Sequence, residues 1–227
     1  CCAVLIFYVV KRGQSMEEYR TVRQEAETEF VEKRSRFIGY IRPVQTEAEA
    51  VAFLQEKRTR HWDATHNVYA YCLRAGQTRR YSDDGEPQGT AGLPILDVLQ
   101  KAGLTDVVVV VTRYFGGILL GGGGLVRAYA HAAALAVEAG GVLRMQQCTL
   151  AQLVCDYNQY GRVGALIPAC GGQVDDTVFA DEVALRFHIP SETYAAFEKQ
   201  LADLTCGAVA AVELGRDFFG ATESAAL

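Results

Sequence analysis

The chain has 227 residues, half of them hydrophobic, and a formal net charge of −5. That suits one large or two small domains with real cores. The charge is uneven: residues 1–145 hold 18 Lys+Arg against 16 Asp+Glu, and residues 146–227 hold 4 against 11. The split predicts two domains with different partners. It excludes the strong basic excess of a dedicated DNA-binding module, so any nucleic-acid contact has to come from a local patch.

Cysteines stand at positions 1, 2, 72, 148, 155, 170 and 206, an odd number with no CxxC spacing. The pattern predicts buried, reduced thiols in a cytosolic protein. His61 and His66 are too far apart in register for one helical face and have no cysteine pair beside them, so no zinc site is expected. No cofactor is expected either.

Cys1 to Val10 is apolar but too short to span a bilayer. It has neither the basic start nor the cleavage site of a signal peptide. Met16 opens a polar, helix-like segment, Glu17-Glu18-Tyr19-Arg20. The reading is that Met16 is the natural start and residues 1–15 are translated leader; a damaged membrane anchor is the rival.

Arg36–Val44 alternates as a strand, with Phe37, Gly39 and Ile41 on one face. Thr46 and Glu49 form a capping box, predicting a helix that ends in the basic run Lys57 to Arg60. Asn67–Leu73 reads as a strand and residues 75–92 as a long loop. Pro94–Ala102 is a short helix. Asp106–Arg113 carries five consecutive valines, a strand covered on both faces. Leu125–Ala139 is a helix of small residues closed by Gly140 and Gly141. Beyond it come strand Gln147–Cys155, a helix capped by Asp156 and running to Ala169, strands Val174–Phe179 and Glu182–Ile189, a helix from Ser191 to Leu204, and strand Ala208–Leu214. That order, βαββαβ, is the ferredoxin-like signature. The predicted fold class is α+β with two domains, residues 16–143 and 146–216.

Two segments carry the functional expectation. The acidic loop Ser82-Asp83-Asp84-Gly85-Glu86-Pro87, with Thr90 beyond it, reads as structural turn chemistry, as a partner-binding loop, or as a metal or acid–base site. Its spacing is not that of an EF-hand. The second segment runs from Thr112 through Arg113, Tyr114, Phe115, Gly116, Gly117 and Gly121 to Gly123, Gly124 and Arg127. Strand, glycine-rich turn and helix can aim free amides at an anion, with Arg113 and Arg127 beside them. It is neither a P-loop nor a dinucleotide fingerprint. A hairpin-like excursion packed by Ile118, Leu119 and Leu120 is the structural reading. Arg60-His61-Trp62 and Arg79-Arg80-Tyr81 add arginines and aromatics that could stack on bases, or simply cover the core edge. Trp62 is expected as a core lid and His131 as structural. No nucleophile is armed by a recognisable motif.

At these segments the chain resembles the IMPACT family, including the bacterial YigZ-type proteins. The match rests on Tyr81 to Pro87 with Gly89 to Pro94, on Val110 to Gly117 with Leu120 to Tyr129, and on Lys33-Arg34-Ser35-Arg36-Phe37-Ile38. It covers roughly Met16 to Leu214. The resemblance implies an N-terminal domain similar to the second domain of a small-subunit ribosomal protein. It implies a C-terminal domain similar to the ferredoxin-like domains of elongation factor G. Eukaryotic relatives regulate translation in a starvation response. The expectation is therefore a cytoplasmic, non-catalytic protein that binds RNA or the ribosome, with Arg113 and Arg127 on phosphate, Tyr114 or Phe115 stacking, and the acidic C-terminal domain free for a protein partner. No membrane association is expected. A phosphate- or nucleotide-binding enzyme using residues 116–124, with Asp83, Asp84 or Glu86 on Mg²⁺, is one alternative. A pure protein-interaction module is the other.

Overall fold

The computed structural model describes residues 18–221; residues 1–15, read above as leader, and Met16 lie outside the described residues. The chain order is β1 (Glu18–Val22), β2 (Ala26–Glu32), β3 (Ser35–Pro43), α1 (Glu47–Arg60), β4 (His66–Cys72), β5 (Arg79–Ser82), α2 (Gly92–Lys101), β6 (Val107–Tyr114) and α3 (Gly122–Gly140). It continues with β7 (Val142–Cys155), α4 (Tyr157–Ala169), β8 (Gln173–Phe179), β9 (Val183–Pro190), α5 (Tyr194–Thr205) and β10 (Ala211–Gly220).

The valine strand β6 is the centre of the first sheet, whose order is β2-β3-β6-β4-β5. Alternate valines serve opposite layers. Val108 and Val110 pack with Phe53 and Leu54 of α1. Val107, Val109 and Val111 pack with α2 and α3, among them Ile95, Leu99, Ala132 and Ala136. Burial on both faces is what an unbroken β-branched run demands. The capping box of α1 forms as expected, with the Glu49 amide donating to Thr46 Oγ1. The small residues of α3 let it press onto β3. A Cβ on Gly39 would lie 2.8 Å from the Ala132 carbonyl oxygen, so only glycine permits that approach.

The second sheet holds β8, β9, β7 and β10 in the order expected of a ferredoxin-like βαββαβ unit. Helices α4 and α5 cover one face through Val163, Ile167, Phe197 and Leu201. The helix-like reading of Glu17 to Arg20 is corrected at residues 18–20; Glu17 lies outside the described residues. Glu18–Val22 is strand β1, paired antiparallel with residues 142–146 of β7. Met145 and Gln146 pair with β10 on their other side, so β1 and β9 share one edge of β7. Two strands were unforeseen: β2, and β5 inside the supposed loop 75–92.

Among the described residues, Cys72, Cys148 and Cys155 are buried free thiols, Cys170 is half-buried and Cys206 is exposed. No helix among the described residues is long and apolar enough to cross a membrane.

Candidate nucleic-acid interface

The acidic loop is built inward. Both carboxylate oxygens of Asp83 accept backbone amides, from Gly89 at 2.8 Å, Ala91 at 3.1 Å and Gly92 at 2.8 Å. Asp84 accepts from Arg58 at 2.8 Å and from the Asn67 amide at 2.6 Å, and its own amide donates to Ser82 Oγ. Thr90 Oγ1 donates to the Pro87 carbonyl. Glu86 is buried, and its Oε1 accepts from Arg113 Nη1 at 2.6 Å and from Tyr129 Oη at 2.7 Å. These carboxylates are engaged by the protein's own donors, so the loop does the work of a turn that anchors β5 to α2.

Arg113 is therefore not on the surface. It is 5% exposed, ion-paired to Glu86, and its Nη2 donates to Ser35 Oγ at 3.3 Å. With its side chain only 6% exposed, this guanidinium is shut in with its carboxylate and out of reach of a phosphate. The expected phosphate contact from Arg113 gives way to a positioning role. Tyr114 is likewise engaged: its Oη lies 2.8 Å from His61 Nδ1 and donates to Asp63 at 3.1 Å.

The glycine-rich turn divides into satisfied and open parts. The Phe115 amide donates to Thr65 Oγ1 and the Gly116 amide to Ser35 Oγ. Gly117 and Gly121 take positive φ, 81° and 72°, which turns the chain out and back into α3. Gly121 offers no side chain to cap α3, and the amides of Gly122, Gly123 and Gly124 have no hydrogen-bond partner among the described residues. Arg127 stands one turn further on, exposed, beside Gly123, and without an ion-pair partner among the described residues.

Two further cations belong to this end of the sheet and were missed. Lys33 and Arg34 form the two-residue turn between β2 and β3, with φ of 45° and 65°. Such a turn ordinarily takes Asn-Gly, and each non-glycine residue there costs about 1–3 kcal/mol. The turn is pressed against Gly116, where a Cβ would fall 2.0 Å from the Arg34 carbonyl oxygen. A small cavity of about 220 Å³ opens between Phe30, Glu32, Lys33, Leu120, Arg127 and His131. His131 is exposed at its rim, its ring packed edge-on to Phe30. Trp62 is 83% exposed, which corrects its reading as a core lid, and Phe115 is 45% exposed. The signal for Lys33 and Arg34 was a dibasic pair between two apolar alternating runs, legible as a hairpin turn only once β2 is recognised.

Next to Trp62 in the chain, His61 is buried with Nε2 2.6 Å from Tyr40 Oη. Burial lowers its pKa, helped by the neighbouring Arg60 charge, and burial pushes Tyr40 up to about 12. The neutral imidazole donates through one nitrogen and accepts through the other. Because the folded pKa lies below the unfolded value of about 6.5, this residue's contribution is complete above that pH. It falls as pH drops from about 6.5 towards the folded pKa, by at most about 1.4 kcal/mol per unit. Melting curves between pH 7.5 and 5.5 should show wild type losing stability more steeply than His61→Gln; parallel curves would refute this.

Fold and site together define a two-domain α+β protein whose first domain presents a cation-flanked glycine turn and whose second is ferredoxin-like. The Impact N-terminal domain family matches residues 33–137, and the family described as Domain of unknown function (DUF1949) matches residues 153–208. IMPACT family member YvyE of Bacillus subtilis is 36% identical over 193 residues, 85% of this chain and 89% of its own length. IMPACT family member YigZ of Escherichia coli is 37% identical over 180 residues, 78% of this chain and 88% of its own. A solved chain described as the crystal structure of a hypothetical protein is 34% identical, with TM-score 0.57 over 88% of this chain and 98% of that one. The chain belongs to the IMPACT family.

Proposed function

We propose that the protein is a non-catalytic RNA- or ribosome-binding factor that modulates translation, acting in the cytoplasm. Its contact surface is the end of the first sheet where the β2–β3 turn, the α1–β4 turn and the β6–α3 turn meet. One observation carries the reading. Exposed Trp62 and Phe115 stand at the same end as three amides at the start of α3 and the cations Lys33, Arg34 and Arg127, all of them without a partner among the described residues. Aromatic faces take unpaired bases, while amides and cations take the phosphates between them. Arg113 serves this surface from beneath, by fixing Glu86 and Ser35. The translational role itself comes from the family resemblance.

Binding of a labelled single-stranded oligouridine across a salt series tests the reading. Trp62→Ala should weaken binding by about 1–3 kcal/mol with the salt slope unchanged, because stacking carries no counterions. Arg127→Ala should lower the slope by about 0.7. Binding that ignores salt and both substitutions would remove the proposal.

The enzyme alternative has weaker support. Asp83, Asp84 and Glu86 each accept from internal donors, which leaves none of them a free carboxylate for Mg²⁺.

A further inference from the structure

At the other end of β6 lies a much larger space, a cleft of about 1420 Å³ where the two domains meet. One wall comes from Leu73 to Arg79 and the end of α2, the other from β1, β7 and β10. Ligand pockets for small molecules run to about 300–1,000 Å³, so this volume suits an extended ligand.

The described walls of the cleft carry a net positive charge in a chain whose net charge is −5. Arg20, Arg74, Arg79 and Arg144 line it, and Glu18 is the single acid among the described residues on its walls. Glu18 is already paired with Arg144. Arg20 and Arg79 are exposed and have no ion-pair partner among the described residues. Clefts lined by one sign of charge focus the field on an incoming counter-ion.

Arg74 is the built element. Its backbone amide and its Nε both donate to Asp106, at 2.8 and 2.6 Å, and Asp106 is itself buried. The guanidinium carbon lies 3.8 Å from the ring centre of Tyr19 on β1 and 4.4 Å from that of Phe218 on β10. Carboxylate and rings together fix the fork. Both Nη groups are left with no partner among the described residues. A guanidinium held ready in this way gives up little side-chain freedom when it takes a phosphate. The amide side chains of Gln77, Gln100 and Gln147 on the walls can both donate and accept, as base edges and ribose hydroxyls require.

We propose that this interdomain cleft is a second nucleic-acid contact, in which Arg20, Arg74 and Arg79 hold the phosphates of a single-stranded RNA. The inference rests on the reading that the protein binds RNA, and it adds a site on the far side of the first sheet. The eight residues of β6 separate the cleft from the glycine turn by roughly 25 Å at about 3.3 Å per residue. Substitutions at that distance act independently.

The test uses the intact chain and a labelled twelve-nucleotide oligouridine, with affinity measured across salt. The double variant Arg20→Ala/Arg79→Ala removes two exposed charges that have no ion-pair partner among the described residues. It should lower the salt slope by about 1.4, which is about 25-fold in affinity at 0.1 M salt when the lines converge near 1 M. Its effect should multiply with that of Arg127→Ala. Arg74→Lys keeps the charge and loses the fork, so affinity should fall with little change in slope. An unchanged slope in the double variant, beside a loss with Trp62→Ala or Arg127→Ala, overturns the cleft and leaves the glycine-turn surface standing. Absence of oligouridine binding to the wild-type chain overturns both. Polyglutamate that binds with the same dependence on Arg20 and Arg79 would make the cleft a track for acidic protein, and overturns it as well.

Discussion

Glu86→Ala should destabilise the protein by about 3–5 kcal/mol, because it strands a buried guanidinium. The Glu86 and Arg113 side chains are 4% and 6% exposed and lie 2.6 Å apart, so water cannot replace the lost carboxylate. Arg113 already has one buried donor, Nε, with no partner among the described residues, and the substitution would leave Nη1 bare too. Tyr129 loses its acceptor in the same step; burial, with Glu86 beside it, holds that phenol far above its ordinary pKa. At about 2–4 °C per kcal/mol for a chain of this size, the melting temperature should drop by roughly 10 °C. Glu86→Gln keeps an acceptor for Tyr129 and should fall between. The double variant Glu86→Leu/Arg113→Met, which removes both charges, should recover most of the loss, since apolar replacement of a buried pair is often neutral. Urea unfolding measures all three. A loss below about 1 kcal/mol in Glu86→Ala would mean the pair is hydrated in solution.

The same pair shows what could and could not be read from the sequence. The loop around Asp83 was legible as turn chemistry, since its Asp carboxylates do fold onto backbone amides, but Asp83 reaches amides six to nine positions ahead rather than the near neighbours a simple turn uses. That Arg113 would turn towards Glu86 was not legible. The two are 27 positions apart and meet only when β6 and the acidic loop are folded together. The five valines announced a central strand, and the glycines, capping residues and alternation located every element of the second domain. β2 escaped for a physical reason. Its sequence AETEFVE puts acids on the outer face of an edge strand, and their charge hides the alternation of Ala26, Thr28 and Phe30. β1 escaped because its partner, residues 142–146, lies some 120 positions away. The interface suffered from both gaps: without β2 there is no turn at Lys33 and Arg34, and without β1 there is no wall for the interdomain cleft.

The glycines of the β6–α3 turn should separate by mechanism when each is changed to alanine. Gly116→Ala should cost about 2–3 kcal/mol. Its Cβ would sit 2.0 Å from the Arg34 carbonyl oxygen, and the obstacle is backbone, which cannot rotate away as a side chain can. The β2–β3 turn must shift, taking Lys33 and Arg34 with it, so oligouridine affinity should fall together with stability. Gly117→Ala should cost about 1–2 kcal/mol. It meets no atom within 4 Å, but its φ of 81° is unfavourable for any residue with a Cβ. Gly122→Ala sits at the exposed start of α3, with only Thr90 Cγ2 at 3.9 Å, and should be neutral or stabilising by up to about 1 kcal/mol. Denaturant midpoints for the three variants test that order. If Gly116→Ala proved milder than Gly117→Ala, the hairpin turn would not be pressed against the glycine loop. The cations at Lys33 and Arg34 would then have no fixed place beside the amides of α3.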